Sequence, residues 1–202
     1  MAEVPKELDS VCVYCGSSDL ADPQFLADAA TFGAQLAAED IRLVYGGGGV
    51  GLMGACAKAA HGAGGRVFGI IPDFLVARER AFDEVETQVV TSMHQRKMIM
   101  FEQSDGFVVL PGGIGTLEEI VELLSWRRLV LHEKPIVIYN PRGFWDPMFE
   151  LFEHTIREHL TPADFRNAWC VAETVDEIIP ALRRLCAAAP EVDALPDARK
   201  FT

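Results

Sequence analysis

The residues best suited to chemistry are two adjacent acids that follow a glycine-rich turn. Pro111–Glu119 reads PGGIGTLEE and comes directly after the apolar run Gly106–Leu110. An apolar run, a glycine turn and an amphipathic run to about Val130 predict a strand, a tight turn and a helix. The first N–H groups of a helix lack partners within it, and the helix dipole adds partial positive charge there. We therefore predict a phosphate-binding turn, with the ionisable Glu118 and Glu119 in the first helical turn beside it.

A basic cluster precedes the same strand. Ser92–Lys97 reads SMHQRK and begins a run of helical periodicity that Ser92 is suited to cap. Arg96 and Lys97 bring fixed positive charge to the helix that leads into the strand. If it stood alone, the cluster would be explained equally well as a solvated basic turn. We predict a structural role for His94 rather than a proton-shuttle role.

The elements that must position these residues alternate between strands and helices. The predicted strands are Val11–Tyr14, Ile41–Tyr45, Arg66–Ile71, Gly106–Leu110, Pro135–Tyr139 and Ala168–Val171. The predicted helices are Pro23–Glu39, Val50–His61, Ser92–Gln103, Thr116–Val130, Asp146–His159 and Thr174–Ala188. The segment 72–90 is predicted to be irregular. Because the strands are apolar on both faces, the pattern predicts one Rossmann-like, doubly wound α/β domain over residues 1–202, with flexible tails at 1–9 and 190–202.

Three glycine- or serine-rich turns follow predicted strands. They are Gly16–Ser18, Gly46–Gly49 and Pro111–Thr116. Tight turns favour glycine for structural reasons alone, which could explain one of them. Since ligands of such sheets bind beyond the carboxyl ends of the strands, three turns favour a shared nucleotide pocket contacted by Ser17 and Gly112.

Two further motifs match known functional patterns, but we predict no such function for either. Gly49–Gly54 matches the dinucleotide pattern GxGxxG, and Asp73 lies about where the ribose-binding acid would be. The motif follows the second strand rather than the first, so we predict that Asp73 is an ordinary acid at a strand end. Cys12 and Cys15 form a CxxC inside a strand, which favours small core residues over a redox pair. No further cysteine pair follows with zinc-ligand spacing, and we predict no metal site.

Composition and charge argue against some classes of binding partner. The chain has 202 residues, is half hydrophobic and carries a formal net charge of −12. That charge argues against nucleic acid, since backbone binding requires clustered Lys and Arg. No apolar run is long enough to span a bilayer, and the N-terminus lacks the apolar core of a signal peptide. Five scattered cysteines favour reduced thiols, so we expect a cytoplasmic protein with no membrane partner.

Taken together, the motifs resemble the Lonely guy family over about residues 11–182. The segments that carry the resemblance are Cys15–Ser18, Gly46–Gly48, Gly51–Gly54, Met93–Lys97 and Pro111–Glu119. Members of the family are cytokinin riboside 5′-monophosphate phosphoribohydrolases. The resemblance implies hydrolysis of an N6-substituted adenosine 5′-monophosphate, or of AMP, to the free base and ribose 5-phosphate, without a cofactor. It also implies a homodimer whose pocket can take residues from both chains.

The resemblance assigns roles to particular residues. Arg96 and Glu119 are the implied catalytic pair. The implied substrate contacts are Lys97, Gly113, Ile114, Gly115, Thr116, Leu117, Glu118 and Ser125. A further acid precedes the basic cluster in the family, and we choose Glu79 over Asp83 and Glu84. Some members have been labelled lysine decarboxylases, but no lysine here has the context of a pyridoxal phosphate site.

The chemistry of the residues agrees with this implication. Cleavage of a ribose–adenine bond develops positive charge at the sugar and negative charge on the departing base. A carboxylate near the anomeric carbon stabilises the positive charge at the sugar or activates water. A cation binds the phosphate or stabilises the negative charge on the departing base. Adjacent helical side chains point about 100° apart, so at most one of Glu118 and Glu119 aims into the pocket. We expect Glu119 there, although complementing the helix dipole would explain either acid. The alternative function is a protein that binds nucleotide phosphate without cleaving it.

Overall fold

Residues 8–188 are described by a computed structural model and contain a seven-stranded parallel sheet. Its strands are β1 (Ser10–Tyr14), β2 (Arg42–Tyr45), β3 (Val67–Pro72), β4 (Glu86–Val90), β5 (Gly106–Val109), β6 (Ile136–Tyr139) and β7 (Cys170–Ala172). Their order across the sheet is β4-β3-β2-β1-β5-β6-β7. Every neighbouring pair is parallel, so each connection must cross over a face of the sheet.

Helices cover both faces of the sheet. They are α1 (Pro23–Ala38), α2 (Gly51–Gly62), α3 (Met93–Glu102), α4 (Ile114–Arg128), α5 (Asp146–Arg157) and α6 (Ile178–Ala188). The buried residues of α1, α2 and α6 pack into one hydrophobic cluster, and those of α3, α4 and α5 pack into another. Along β1, Val11 and Val13 belong to the first cluster, whereas Cys12 and Tyr14 belong to the second. This arrangement confirms the predicted doubly wound α/β fold.

The strand order reverses between β1 and β5. From β1 the chain proceeds outward through β2 and β3 to β4, and from β5 it proceeds the other way to β7. The turns after these two central strands touch, because the Gly16 N–H donates to the carbonyl of Pro111 at 3.0 Å. The glycine-rich turn after β5 therefore lies at the switch point, where open α/β sheets bind ligands.

Two element predictions were wrong. Segment 72–90, predicted to be irregular, contains β4, which pairs with β3 at the edge of the sheet. Four of its five side chains are exposed or half-buried, so it lacks the apolar signature of the inner strands. In addition, α4 begins at Ile114 rather than Thr116. Glu118 and Glu119 consequently lie in its second turn rather than its first.

The two cysteines of the CxxC motif face opposite sides of the sheet. Cys12 belongs to one hydrophobic cluster and Cys15 to the other, and both are buried free thiols. Burial raises the pKa of each thiol well above its usual value. The prediction that they are core residues is confirmed.

The predicted tails fall largely outside the described residues. Within them, Leu8 packs against the core and Asp9 pairs with Arg66 at 2.9 Å. In the part of the chain that the structure describes, no helix is both long enough and apolar enough to cross a membrane.

Candidate active site

The turn after β5 leaves the start of α4 open. Gly113 is the N-cap residue and offers no side chain to the helix, and Leu117 N–H makes the bond back to its carbonyl. Gly113, Ile114 and Gly115 are exposed. A Cβ on Gly112 would lie 2.1 Å from Oγ1 of the buried Thr116, so only glycine fits there. The unpartnered N–H groups of a first helical turn are a ready site for an anion.

Arg96 and Glu119 meet beside this turn as a buried pair. Their side chains are only 7% and 9% exposed, and Arg96 Nη2 lies 3.9 Å from Glu119 Oε1. That distance is too long for a hydrogen bond. Arg96 Nη2 also donates to the Gly46 carbonyl at 3.4 Å, whereas its Nε is buried without a hydrogen-bond partner. A buried ion pair with unmade hydrogen bonds costs stability, and the unmade bonds leave polar atoms available to a ligand.

The surroundings of Glu119 favour its protonated form. Burial raises its pKa to about 7. The charge of Arg96 acts in the opposite direction, while the negative charges of Glu118 and Glu79 add to the increase. A carboxyl with a pKa near neutrality can both accept and return a proton at physiological pH.

Glu79 belongs to the same cluster. Its carbonyl and that of Arg80 accept from Gly49 N–H at 3.0 Å each, which lays this segment across the glycine run after β2. Glu79 Oε2 is buried and has no hydrogen-bond partner. Burial raises the pKa of Glu79, and the charges of Arg96 and Arg78 oppose that increase.

The two rival acids lie elsewhere. Asp83 is exposed, and Glu84 Oε2 lies 4.0 Å from His61 Nε2 on α2. The geometry thus favours Glu79 as the acid of this cluster, although its contact with substrate stays a prediction.

Lys97 forms ion pairs with residues of α4. Its ammonium group pairs with Glu118 and with Glu122, the latter at 2.9 Å, and its side chain is only 11% exposed. Burial alone would lower the pKa of Lys97, but the two carboxylates raise it above its usual value. Lys97 therefore links the second turn of α3 to α4 in the same region where Arg96 faces Glu119.

The remaining predicted contacts lie around the turn, with one exception. Ser17 is exposed in the turn after β1, and Leu117 is half-buried against the core behind α4. Ser125 is also exposed, but it lies eleven residues beyond Ile114, or about 16 Å along the helix axis. The structure thus separates Ser125 from the turn of its own chain.

The structural role that we predicted for His94 stays a prediction. Its side chain is exposed on the first turn of α3 and does not pack in the core. The capping prediction beside it is confirmed, since the Ser92 side chain accepts from Gln95 N–H.

One acid that brings the loops together was missed. Asp19 Oδ1 accepts from Gly51 N–H at 2.8 Å, and its other oxygen pairs with Arg80. It therefore links the turn after β1, the start of α2 and the segment that carries Glu79. Its position directly after the Gly16–Ser18 turn is the signal that could have identified it.

Backbone atoms of the chain itself occupy the space beside the glycines of the GxGxxG motif. A Cβ on Gly54 would lie 2.3 Å from the backbone of Gly49, and one on Gly51 would lie 2.5 Å from that of Ser17. Asp73 is exposed and accepts from the Phe74 N–H. These glycines are explained by close backbone packing, and Asp73 is the strand-end acid that we expected.

A family model described as "Possible lysine decarboxylase" matches residues 53–182. The lysines among residues 8–188 are Lys58, Lys97 and Lys134, and each ammonium group binds protein oxygen atoms. Each of the three therefore has a partner within the chain.

Solved structures share the fold. The molybdenum cofactor carrier protein of Chlamydomonas reinhardtii is 24% identical, with a TM-score of 0.67 over 90% of this chain and 99% of that chain. The molybdenum cofactor binding protein of Rippkaea orientalis is 22% identical, with a TM-score of 0.65 over 89% and 98%. Likeness at this level concerns the fold alone.

Curated relatives are closer in sequence. A cytokinin riboside 5′-monophosphate phosphoribohydrolase of Arabidopsis thaliana is 38% identical over 173 residues, covering 85% of this chain and 80% of the relative. One from Oryza sativa subsp. japonica is 39% identical over 170 residues, covering 84% and 70%. With these matches and the family model spanning most of its length, the chain belongs to the cytokinin riboside 5′-monophosphate phosphoribohydrolase family of enzymes, the Lonely guy family that its motifs resemble.

Proposed function

We propose that this protein hydrolyses the N-glycosidic bond of N6-substituted adenosine 5′-monophosphates and of AMP, releasing the free base and ribose 5-phosphate. The observation that carries the proposal is the buried Arg96–Glu119 pair, 3.9 Å apart, beside the open start of α4. The names of the curated relatives supply the substrate class.

The 5′-phosphate binds at the first N–H groups of α4, from Gly113 to Thr116. Helix dipole and unpartnered N–H groups both favour an anion at this point. Glu119 is five residues beyond Ile114, or about 7.5 Å along the helix axis, which is about one ribose unit. The anomeric carbon of a nucleotide held by its phosphate therefore comes within reach of the Glu119 carboxyl group.

In the reaction, a water oxygen forms a bond to C1′ and the bond from C1′ to the purine nitrogen breaks. The bonding electron pair leaves with the base, and the base takes up a proton, so the water is divided between the two products. The Glu119 carboxylate stabilises the positive charge at the sugar and accepts the proton of the attacking water. Arg96 supplies the positive charge that balances the phosphate and the charge developing on the base.

We further infer that the protein is a cytoplasmic homodimer that contacts neither nucleic acid nor membrane. Val121, Leu129 and Val130 expose 47%, 57% and 76% of their surface on α4 and just beyond its end. Pairing of two copies through this surface would bury it and would make Ser125 available to the turn of the partner. Cys12, Cys15, Cys56 and Cys170 are free thiols, which supports a reducing compartment.

The activity is tested by incubating the purified protein with AMP, its N6-isopentenyl analogue, GMP, CMP and UMP, and measuring free base by chromatography. We expect base release from the two adenine nucleotides. Because each removes a group that acts on the transition state, Arg96→Ala and Glu119→Gln should each lower the rate by about 10²–10⁴-fold. Glu150→Gln, an exposed acid on α5, is the matched control and should keep the wild-type rate.

Two outcomes would contradict the proposal. Measurable affinity for AMP without turnover of any nucleotide would favour the non-catalytic nucleotide binder. Wild-type turnover by folded Glu119→Gln would remove Glu119 from the mechanism.

A further inference from the structure

The glycine run after β2 is occupied by the protein's own atoms. A Cβ on Gly49 would lie 2.3 Å from the Arg80 carbonyl oxygen, and one on Gly48 would lie 3.2 Å from Glu79 Oε2. Gly47 has a φ of +78° and would place a Cβ 2.8 Å from Ile71. Because so little free space adjoins these positions, packing within the chain explains these glycines without a direct ligand contact.

The first glycine of the run lies directly against a functional side chain. A Cβ on Gly46 would lie 1.8 Å from Arg96 Nη2 and 2.9 Å from its Cζ. Met53 Sδ is 3.1 Å from the same point, and the Gly46 carbonyl accepts from Arg96 Nη2 at 3.4 Å. The guanidinium group therefore rests in the space that any other residue at position 46 would fill.

The steric consequence is specific to Arg96. The atoms that a Cβ would strike belong to the far end of a flexible side chain rather than to the backbone. Such a clash is relieved by moving the guanidinium group, so the fold is expected to persist. What changes is where the buried positive charge lies relative to Glu119, which is now 3.9 Å away.

We propose that Gly46 is a positioning residue whose missing side chain forms the socket that holds the Arg96 guanidinium group against Glu119. The catalytic consequence rests on the proposed function. The placement itself does not, because it can be followed in the protein without substrate.

The titration of Glu119 reports on the socket. The charged and titratable groups that act on or with Glu119 are Arg96 and Lys97 from α3, Glu118 from α4, Glu79 from the loop before β4, and Cys12, Tyr14 and Cys15 from β1 and its end. Of these, Arg96 and Lys97 lower the pKa of Glu119, and Arg96 has the larger effect. Displacement of the guanidinium group must therefore raise that pKa further.

The test is a double-mutant cycle of Gly46→Ala and Arg96→Ala, with carbon-13 detection of the Glu119 carboxyl titration in the full chain. We expect Gly46→Ala to fold and to move the titration to higher pH. In the Arg96→Ala background the same substitution should leave the titration unchanged, since the guanidinium group is already gone. Gly62→Ala is the control, because no atom lies within 4 Å of its added Cβ.

Base release supplies the second readout. Gly46→Ala should lower kcat/KM by about 10²-fold or more, and the double variant should be no slower than Arg96→Ala alone. An unchanged Glu119 titration in Gly46→Ala would overturn the proposal. So would a double variant whose loss of kcat/KM equals the combined losses of the two single variants.

Folding failure is also informative. If Gly46→Ala alone does not fold, the double variant should, because removal of Arg96 empties the socket. Failure of both to fold would overturn the proposal. If the wild type releases no base but the Glu119 titration moves as expected in Gly46→Ala, the proposed function is wrong and the positioning role of Gly46 is still supported.

Discussion

Glu119 is a carboxyl group whose surroundings make its ionisation costly. Its side chain is 9% exposed, and burial raises its pKa to about 7 even though Arg96 lies 3.9 Å away. The motifs indicated Arg96 or Lys97 and Glu118 or Glu119 as candidates, and the family resemblance selected Arg96 and Glu119 from them. The missing hydrogen bonds of the pair depend on how α3 and α4 pack, which no local pattern encodes.

At the residue scale, Glu119→Gln should change how stability depends on pH. The pKa of Glu119 is about 7 when folded, compared with 4.5 for the ordinary group. Between these values the unfolded chain releases its proton first, so the contribution of Glu119 to folding is full below pH 4.5 and is lost as the pH rises to about 7. The free energy of unfolding of Glu119→Gln, relative to that of the wild type, should therefore increase by about 3 kcal/mol as the pH rises across this window.

Urea unfolding at a series of pH values measures this difference. Glu150→Gln, which alters an exposed acid, should track the wild type. Parallel stability curves for Glu119→Gln and the wild type would show that burial does not raise the pKa of Glu119.

The elements that build the site are the starts of α3 and α4. Arg96 faces Glu119 at 3.9 Å, and beside them Lys97 pairs with Glu118 and Glu122. Periodicity predicted both helices, with boundaries shifted by one or two residues. It did not predict β4, because an edge strand with exposed polar side chains carries no alternation of buried and exposed residues that a sequence reader can recognise.

At the element scale, Lys97→Met should loosen the contact between α3 and α4. The side chain is only 11% exposed, so loss of its two charge-assisted pairs should cost roughly 1–3 kcal/mol of unfolding free energy. Arg166→Met removes an ion pair with Glu153 at an exposed site and should cost less, because solvent screens such pairs. Equal losses in chemical unfolding would contradict a positioning role for Lys97.

At the scale of the whole molecule, the doubly wound sheet brings the turns after β1 and β5 together at the switch point. The fold class followed from alternating apolar runs, and it is shared with proteins only 22–24% identical. The fold therefore indicates where a ligand binds but not which reaction follows. The proposed dimer came from the family resemblance and not from a local pattern, because exposed apolar side chains on α4 become visible only when the helix is oriented on the sheet.

Leu129→Asp tests the proposed dimer. Leu129 is 57% exposed just beyond α4, and a buried charge there should prevent two copies from pairing through this surface. Sedimentation should show a monomer for Leu129→Asp and a dimer for the wild type. Leu160→Asp, at a residue 79% exposed elsewhere, should remain dimeric. A monomeric wild type would refute the dimer.

The central claim is that a nucleotide binds by its phosphate at the start of α4 and presents its anomeric carbon to position 119. A crystal structure of Glu119→Gln with AMP, which should bind without being cleaved, measures this directly. We predict phosphate oxygens on the N–H groups of residues 113–116, and C1′ with its attacking water about 3–3.5 Å apart beside Gln at position 119. Phosphate bound elsewhere, or a C1′ remote from position 119, would contradict the account.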